Sequence, residues 1–415
     1  MKETYKEINT CRVCGSEKLL PVLTLGNQST IDFPDKDGAA TGVLAPLDLV
    51  LCGNDDCSLA QLRHTVNPDL LYRQYWYKSG INQTIRDALA DITSSAQKLV
   101  ALNKGDIVVD IGANDGTLLR SYNIDGLSTV GFEPATNLMD EARKGTSLII
   151  NDYFNGKSFQ QNFPGCKAKV VTSIAMFYDL EDPNSFVRDI KNILAEKGIW
   201  INQMNYLKTM LSDNAFDNIS HEHLEYYSLS SLQFLLARHD LEVFDVELNS
   251  LNGGSIRAYI AHTGDYPIDE EVHRLNDSEK ILKTFGPYQE FVDRIIELKK
   301  TIFDYICSEH KAGKKIYVYG ASTRGNTLLQ YFGLDSTMLT SAAERNPVKW
   351  NKRMAGTNIP IISEDEARNA KPDYFLVLPW AFIKEFVARE KEYLLGGGRF
   401  IVPLPKFRVL SIDNI

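Results

Sequence analysis

The chain has 415 residues, of which 44% are hydrophobic and 24% are charged, a balance typical of a folded protein with two or three domains. The net charge of −9 and the lack of a long basic run argue against nucleic acids and anionic membranes as partners. The first residues contain no apolar signal-peptide core, and no apolar run reaches the roughly 18 residues that span a bilayer. We therefore expect a cytoplasmic protein whose thiols are reduced.

Four of the six cysteines fall within residues 1–70, in a pattern typical of zinc binding. Cys11 and Cys14 form a Cys-x2-Cys pair, and Cys52 and Cys57 form a looser Cys-x4-Cys pair. Four thiolates complete a tetrahedral site with no open position, which predicts a structural zinc ion rather than a catalytic one. Disulfides fit poorly with a reducing compartment.

An aromatic cluster follows, with Tyr75, Trp76 and Tyr77 a few residues before Asn82 and a helical pattern. Such a cluster is explained equally well by packing between two domains or by a lid over a ligand. Tyrosines suit a lid because they offer both a flat face and a hydroxyl group.

Residues 105–204 alternate between strand-like and helix-like runs, which predicts an α/β domain with a parallel sheet. The clearest helix is Pro183–Leu194. The strand candidates are Ile107–Ile111, Thr129–Phe132, Leu148–Asn151, Val170–Ser173 and Ile199–Gln203.

The first of these strands ends in Asp110 and is followed by a glycine turn containing Gly112 and Gly116. Glu133 closes the second strand, where a carboxylate can accept hydrogen bonds from ribose hydroxyls. The Gly-x-x-x-Gly spacing differs from the dinucleotide fingerprint and resembles the first motif of class I S-adenosylmethionine-dependent methyltransferases. An ordinary strand–turn–helix is the alternative.

Strand order suggests two further positions in the same site. Asp152 follows the third strand, where such folds usually meet adenine, and Ser173 begins a segment past the fourth strand that reaches the mouth of the site.

The densest group of titratable residues is His221-Glu222-His223. A metal site lacks further ligands at suitable spacing, and a polar helix start is a second interpretation. The third is that one histidine acts as a general base near neutral pH.

Residues 276–312 carry a helical pattern that we expect to bridge two domains, and a second α/β unit begins at Lys315. Its glycine turn, Gly320–Asn326, contains Ser322 and Arg324 and opens a helix, an arrangement that suits a phosphate group. A scaffold domain with a vestigial ligand turn is the alternative. The predicted domains are residues 1–70, 71–275 and 276–415.

Taken together, these motifs resemble the sugar C-methyltransferases that add a methyl branch to a nucleotide-linked ketosugar. The resemblance spans nearly the whole chain. It is carried by the cysteine pairs, Tyr77-x-Ser-Gly80, the turn from Asp110 to Gly116, His221 to Leu224, and Gly253-Gly254-Ser255-x-Arg257, with Gly320-Ala321 and Asp373 to Trp380 completing it.

The resemblance implies a zinc-binding domain, a central class I methyltransferase domain and a C-terminal Rossmann-like domain, with substrate in the cleft between them. It implies His223 as the base, with Glu222, Tyr77 and Tyr178 as further catalytic residues. Cofactor contacts are expected at Asp110, Gly112, Asn114, Gly116, Glu133, Asp152 and Ser173. Substrate contacts are expected at Tyr75, Asn82, His221, Arg257, Ser322, Arg324 and Asn326.

Two positions depart from the family pattern, because Ser220 replaces a tyrosine and Tyr178 stands where some relatives have a histidine. The predicted function is methyl transfer from S-adenosylmethionine to a carbon, at C3, of a nucleotide-linked 4-keto-deoxysugar. Two alternatives are O- or N-methylation of another sugar or small phosphorylated molecule, and a zinc-bearing adaptor that binds ligand without turnover.

Overall fold

The computed structural model describes residues 4–30, 33–35 and 43–415. Residues 1–3, 31–32 and 36–42 of the predicted first domain lie outside this description. The N-terminal elements are β1 (Tyr5–Glu7), β2 (Leu19–Ser29), β3 (Leu44–Cys52), β4 (Ala60–Leu62), β5 (His64–Val66) and α1 (Pro68–Tyr72).

The middle of the chain forms a mixed α/β domain. Its elements are α2 (Gln83–Leu99), β6 (Ile107–Ile111), α3 (Thr117–Arg120), β7 (Ser128–Phe132), α4 (Met139–Ala142), β8 (Leu148–Ile150), α5 (Gly156–Asn162), β9 (Ala168–Ile174), α6 (Pro183–Ile193), β10 (Leu194–Asn205), α7 (Leu207–Ser212), β11 (Glu225–Tyr226), α8 (Leu229–Ala237), β12 (Leu241–Asn249), β13 (Ser255–His262) and α9 (Glu270–Glu279).

The central sheet has the strand order β12-β13-β10-β9-β6-β7-β8. Strands β10, β9, β6, β7 and β8 run parallel to one another, whereas β13 runs antiparallel to β10 and β12. Strand β6 is buried along its whole length, in keeping with its apolar sequence Ile-Val-Val-Asp-Ile and its central place in a parallel sheet. The carboxyl ends of β6, β7 and β9 therefore meet at one edge, where a ligand can bind.

The C-terminal part is a second α/β domain. Its elements are α10 (Gly286–Lys311), β14 (Ile316–Tyr319), α11 (Thr323–Phe332), β15 (Ala342–Glu344), β16 (Ile361–Ser363), α12 (Glu364–Asn369), β17 (Tyr374–Val377), α13 (Ile383–Arg389), α14 (Lys391–Leu395), β18 (Arg399–Val402) and β19 (Arg408–Leu410). The sheet order is β16-β15-β14-β17-β18-β19, with β19 alone antiparallel to its neighbour in this sheet. The predicted combination of two α/β domains and a cysteine-rich N-terminal part is confirmed.

Residues 276–312 are helical over most of their length, as predicted, but in more than one helix. Helix α9 ends at Glu279, and α10 begins only at Gly286. Pro287 lies in the first turn of α10, where its missing N–H and fixed φ are tolerated, so it suits the start of a new helix at this point. The predicted domain boundaries at 70 and 275 fall inside α1 and α9.

Strand β11 connects the middle of the chain to the N-terminal part. Although it follows the central sheet in sequence, it pairs with β4 and completes the four-stranded sheet β11-β4-β3-β2. Leu62, Leu224 and Phe332 share one hydrophobic cluster, so the N-terminal, central and C-terminal parts are packed around a common core. Among the described residues, no helix is long and apolar enough to cross a membrane.

Candidate active site and zinc site

The four N-terminal cysteines converge on one point. Their ligand atoms all lie within 4.8 Å of one another, with Sγ–Sγ distances of 3.8 Å for Cys11–Cys57 and 3.5 Å for Cys14–Cys52. Zinc–sulfur bonds of about 2.3 Å in a tetrahedron place sulfurs about 3.8 Å apart, so the cluster fits Zn²⁺ closely. All four thiols are free of disulfides, and three are buried, as a structural site requires.

A cavity of about 550 Å³ lies between the three parts of the molecule. Its walls come from the carboxyl ends of β6, β7 and β9, from the aromatic residues that precede α2, from the His221–His223 segment, and from the first turn of α11. A cavity of this volume can hold a ligand of drug size or larger.

Asp110 and Glu133 form one end of the cavity. Asp110 accepts a 2.6 Å hydrogen bond from the hydroxyl of Thr172, and burial raises the pKa of its carboxyl to about 7. Glu133 accepts hydrogen bonds from the backbone N–H groups of Asn114 and Ala135, both at 2.8 Å. These bonds fix the Glu133 carboxylate and leave lone pairs free for two ribose hydroxyls.

The glycine turn leaves room for a ligand beside these acids. Gly112 lines the cavity with φ of +72°, and a Cβ there would lie 3.0 Å from Met176. Gly116 has φ of +78° but does not line the cavity, because it packs against the backbone of Ala142. Gly116 therefore shapes the turn from outside the cavity.

Asp152 and Ser173, both expected to contact the cofactor, lie outside the cavity lining. Asp152 is exposed and lies 3.5 Å from Arg73. Ser173 is fully buried, accepts a hydrogen bond from the Trp200 indole and donates one to Asn202. The predicted strand order identified the correct edge of the sheet, but it did not identify which side chains face the cavity.

Residues 73–82, here called the aromatic segment, lie over the cavity and are held by asparagine side chains. Asn137 accepts from the backbone N–H of Tyr75 at 3.0 Å and donates to the carbonyl of the same residue at 2.9 Å. Asn114 accepts from the N–H of Ser79 at 2.9 Å and donates to the carbonyl of Tyr77. Asn114 thus connects the cofactor turn to the aromatic segment.

Three predicted residues of the aromatic segment line the cavity: Tyr75, Tyr77 and Asn82. The Asn82 side chain caps α2 by accepting from the N–H of Thr84 at 2.9 Å. Tyr77 is 46% exposed, so it lies at the rim rather than at the bottom.

His223 also lines the cavity and is buried. Its Nδ1 lies 2.7 Å from the carbonyl oxygen of Asn218. A carbonyl can only accept, so Nδ1 carries the proton and Nε2 carries the lone pair. Burial, with the nearby Arg324 guanidinium, lowers the pKa of the ring to about 3, which keeps it neutral.

The segment around His223 is tied to elements on two sides. His221 donates from Nε2 to the carbonyl of Ala45 in β3 at 3.0 Å, and the N–H of Leu62 in β4 donates to the carbonyl of Leu224 at 2.8 Å. The N–H of Leu224 in turn donates to the carbonyl of Tyr178 at 2.8 Å. We call residues 218–224 the His223 loop.

Glu222 and Tyr178 also line the cavity. The Tyr178 ring packs edge-on against the His223 ring, with centroids 4.5 Å apart. Burial raises the pKa of the Glu222 carboxyl to about 7, and the hydroxyl of Tyr72 donates to the backbone carbonyl of Glu222 at 2.8 Å. Glu222 therefore titrates near neutral pH inside the cavity.

Asp179 is a cavity residue that sequence reasoning passed over. It ends a short 3₁₀ helix, Phe177–Asp179, which follows β9. An acidic residue soon after a central parallel strand was the available signal, since that is where ligands bind in such sheets.

The C-terminal domain contributes Ser322 and Arg324 to the cavity wall. The Arg324 guanidinium donates to Asp217 at 2.6 Å and to the carbonyl of Asn252 at 2.8 Å, so it joins two domains. Asn326 lies outside the lining, is 2% exposed and donates to the carbonyl of Ala355.

Arg257 also lies outside the cavity lining, although it was expected to contact substrate. On β13 it donates to Asp91 at 2.9 Å, to Glu247 at 3.2 Å and to Gln203 at 2.9 Å. These partners hold its Nε and Nη1 groups and make it a link between the sheet and α2.

Comparisons with known proteins agree with this architecture. Family models match the chain in sequence order as "Putative zinc binding domain" over residues 11–72, "Methyltransferase domain" over 82–246 and "C-methyltransferase C-terminal domain" over 250–405. The C-methyltransferase NovU of Streptomyces niveus is 31% identical over 420 residues, which covers 100% of both chains.

Two methyltransferases of known structure are similar to this chain over less than half of its length. The N-methyltransferase NodS from Bradyrhizobium japonicum WM9 matches 44% of this chain and 98% of its own, with 10% identity and a TM-score of 0.34. An S-adenosylmethionine-dependent methyltransferase from Clostridium acetobutylicum matches 44% of this chain and 93% of its own, with 12% identity and a TM-score of 0.33.

The fold, the family models and the full-length relative define an S-adenosylmethionine-dependent methyltransferase with an N-terminal zinc-binding domain. More particularly, the chain belongs to the C-methyltransferase family.

Proposed function

We propose that the protein methylates C3 of a nucleotide-linked 4-keto-deoxysugar, with His223 as the general base. The observation that carries this proposal is the Nδ1–H bond of His223 to the carbonyl of Asn218, which leaves the basic Nε2 available in the shared cavity. A C-methyltransferase needs such a base because it must turn a C–H group into a nucleophile.

The acceptor chemistry follows from the ketone. A hydrogen on the carbon next to a ketone can leave as a proton, because the resulting negative charge is delocalised onto the carbonyl oxygen. S-adenosylmethionine supplies an electrophilic methyl group on its sulfonium. The neutral imidazole of His223 accepts the proton on Nε2. Because the pKa of the ring is lowered to about 3, this base is weak, and proton removal also depends on stabilisation of the enolate oxygen.

The two ends of the cavity suit the two substrates. Gly112 and Glu133 provide the space and the carboxylate for the nucleoside of the methyl donor at one end. Tyr75, Glu222 and His223 surround the space for the sugar, where hydroxyl and carboxyl groups can bind its polar substituents. Alignment of carbon, methyl and sulfur across one cavity accounts for much of the remaining rate enhancement.

The nucleotide end of the sugar substrate fits against the first turn of α11. Ser322 caps this helix by accepting from the N–H of Gly325 at 3.0 Å, and Ser322 and Arg324 line the cavity. A helix N-terminus with an arginine attracts phosphate oxygens. The relative's name, C-methyltransferase, favours carbon rather than oxygen or nitrogen as the methylated atom.

The test uses deuterium exchange, which reports proton removal apart from methyl transfer. In heavy water with S-adenosylhomocysteine in place of the donor, the wild-type protein should exchange the C3 hydrogen of a 4-ketosugar nucleotide. His223→Asn should abolish both exchange and methylation while S-adenosylmethionine binding, measured by calorimetry, is retained.

His273→Asn is the matched control, because His273 is exposed on α9 and lies outside the cavity lining. It should behave as wild type. Full exchange in His223→Asn would refute the role of His223. Mass spectrometry of reactions with a panel of nucleotide sugars tests the substrate class. Failure to find a methylated 4-ketosugar would refute it.

A further inference from the structure

Asp179 has a buried carboxyl oxygen that takes part neither in the proposed cofactor site nor in the proposed action of His223. Its side chain lines the cavity, and its Oδ1 is buried without a hydrogen-bond partner in the described part of the chain. A buried polar atom without a partner costs free energy, and this one belongs to a carboxyl group in the cavity wall, which suggests that a ligand atom completes it.

The backbone places Asp179 close to the His223 loop. The carbonyl of its neighbour Tyr178 accepts from the N–H of Leu224, which lies two residues past Glu222. The Tyr72 hydroxyl bonds to the carbonyl of Glu222 and lies close to the Asp179 carboxyl. The carboxyl groups of Asp179 and Glu222 thus share one side of the sugar end of the cavity.

No lysine or arginine forms an ion pair with either carboxyl among the residues that the structure describes. Tyr72, Tyr75 and Tyr178 lie close to both carboxyls, and the charge of Lys349 acts on Glu222 but is not among the groups that act on Asp179. Burial, together with the charge of Glu222, holds the pKa of Asp179 well above its usual range. This environment favours the neutral carboxylic acid form of Asp179, which can donate a hydrogen bond.

We propose that Asp179 is a catalytic acid that donates a hydrogen bond to the carbonyl oxygen of the sugar and stabilises the enolate that forms there. This role rests on the proposed function, and it adds a residue to that reaction. A neutral carboxylic acid in an apolar site is a known way to stabilise an oxyanion at neutral pH.

The electrons and protons balance as follows. The C3–H bond breaks, its proton moves to Nε2 of His223, and its electron pair forms the C3–C4 double bond while charge moves to the ketone oxygen. The hydrogen bond from Asp179 strengthens as that charge grows. C3 then forms a bond to the methyl carbon, the methyl–sulfur bond breaks with its electron pair on sulfur, and the ketone is restored.

The test compares Asp179→Asn with Asp179→Ala. The amide of asparagine still donates a hydrogen bond, whereas alanine has no donor. Loss of one oxyanion donor usually costs about 10²–10³-fold, so we expect that loss in both C3 exchange and methylation for Asp179→Ala. We expect Asp179→Asn to stay within about tenfold of wild type, since a donor remains.

A spectroscopic readout separates this role from a structural one. A hydrogen bond to the ketone lowers its stretching frequency, so the bound ketosugar should show a lower frequency in His223→Asn than in the double variant His223→Asn with Asp179→Ala. Asp240→Asn is the control. Asp240 is exposed, and its φ of +52° is one that asparagine also adopts.

Equal defects in Asp179→Asn and Asp179→Ala, or wild-type rates in Asp179→Ala, would overturn the proposal. If Asp179→Ala does not fold, Asp179→Leu, which has a similar volume and no donor, takes its place. Absence of exchange and methylation in the wild-type protein with every 4-ketosugar nucleotide would instead refute the proposed function, and this role with it.

Discussion

Asn137 offers a test of how the aromatic segment covers the active site. Its side chain makes two hydrogen bonds to the backbone of Tyr75, yet it lies outside the cavity lining. Asn137→Ala removes both bonds without touching either substrate site. Each hydrogen bond contributes about 0.5–1.5 kcal/mol net, and both are solvent-exposed, so we expect a loss of about 1–2 kcal/mol in total.

That loss raises the population of the open aromatic segment about 5–30-fold. Trypsin should detect it as faster cleavage after Arg73 and Lys78, because proteolysis follows the open population when closing is fast. The half-buried Tyr75 and Trp76 should become accessible at the same time. In turnover, the acceptor KM should rise while kcat at saturation changes little, since bound substrate favours closure.

Asn162→Ala is the matched control, because Asn162 is an exposed asparagine that bonds to the carbonyl of Ser158 within α5. It should leave trypsin cleavage after Lys78 unchanged. An unchanged cleavage rate in Asn137→Ala would show that these two bonds do not hold the segment. A lower kcat with an unchanged KM would show that Asn137 acts on the chemical step instead.

Three further outcomes are expected. Metal analysis should find about one zinc per chain, lost in Cys14→Ser and kept in Cys166→Ser, whose thiol is exposed and outside the cluster; zinc retention in Cys14→Ser would contradict the site. Because the pKa of Asp110 is about 7 and a sulfonium favours the carboxylate, S-adenosylmethionine should bind more tightly at pH 8 than at pH 6 and release protons at pH 7. Calorimetry in two buffers checks this, and Asp110→Asn should remove most of the release, whereas proton uptake would refute it. Gly116→Ala should lower Tm more than Gly165→Ala. Both substitutions cost about 1–2 kcal/mol because of the positive φ, but only Gly116→Ala would place a Cβ 2.7 Å from the carbonyl oxygen of Ala142. Equal decreases in Tm would contradict the clash.

Local patterns were enough to predict the central domain and the zinc site. Strand β6 has the predicted bounds, Ile107–Ile111, because a short β-branched run between polar turns allows few alternatives. The two cysteine pairs meet because glycine and asparagine turns let each pair face one point, as their spacing predicts.

Side-chain direction and long-range pairing could not be predicted in this way. Arg257 has the charge for binding phosphate, but the register of β13 places it against Asp91 and Glu247, which lie on other elements. Ser173 follows the strand pattern and yet points into the sheet toward Trp200. Asp179 was missed because its place in the cavity wall depends on the His223 loop, whose position is set by contacts with other domains.

The pairing of β11 with β4 has a consequence for how this enzyme can be recombined with its relatives. The His223 loop follows the methyltransferase sheet in sequence, but its position depends on the edge of the zinc-binding sheet and on the packing of Leu62, Leu224 and Tyr226. A chimera that exchanges residues 1–72 alone would seat His223 on a foreign sheet edge. The unit of exchange is discontinuous in sequence, and it must carry residues 218–226 together with the zinc-binding domain.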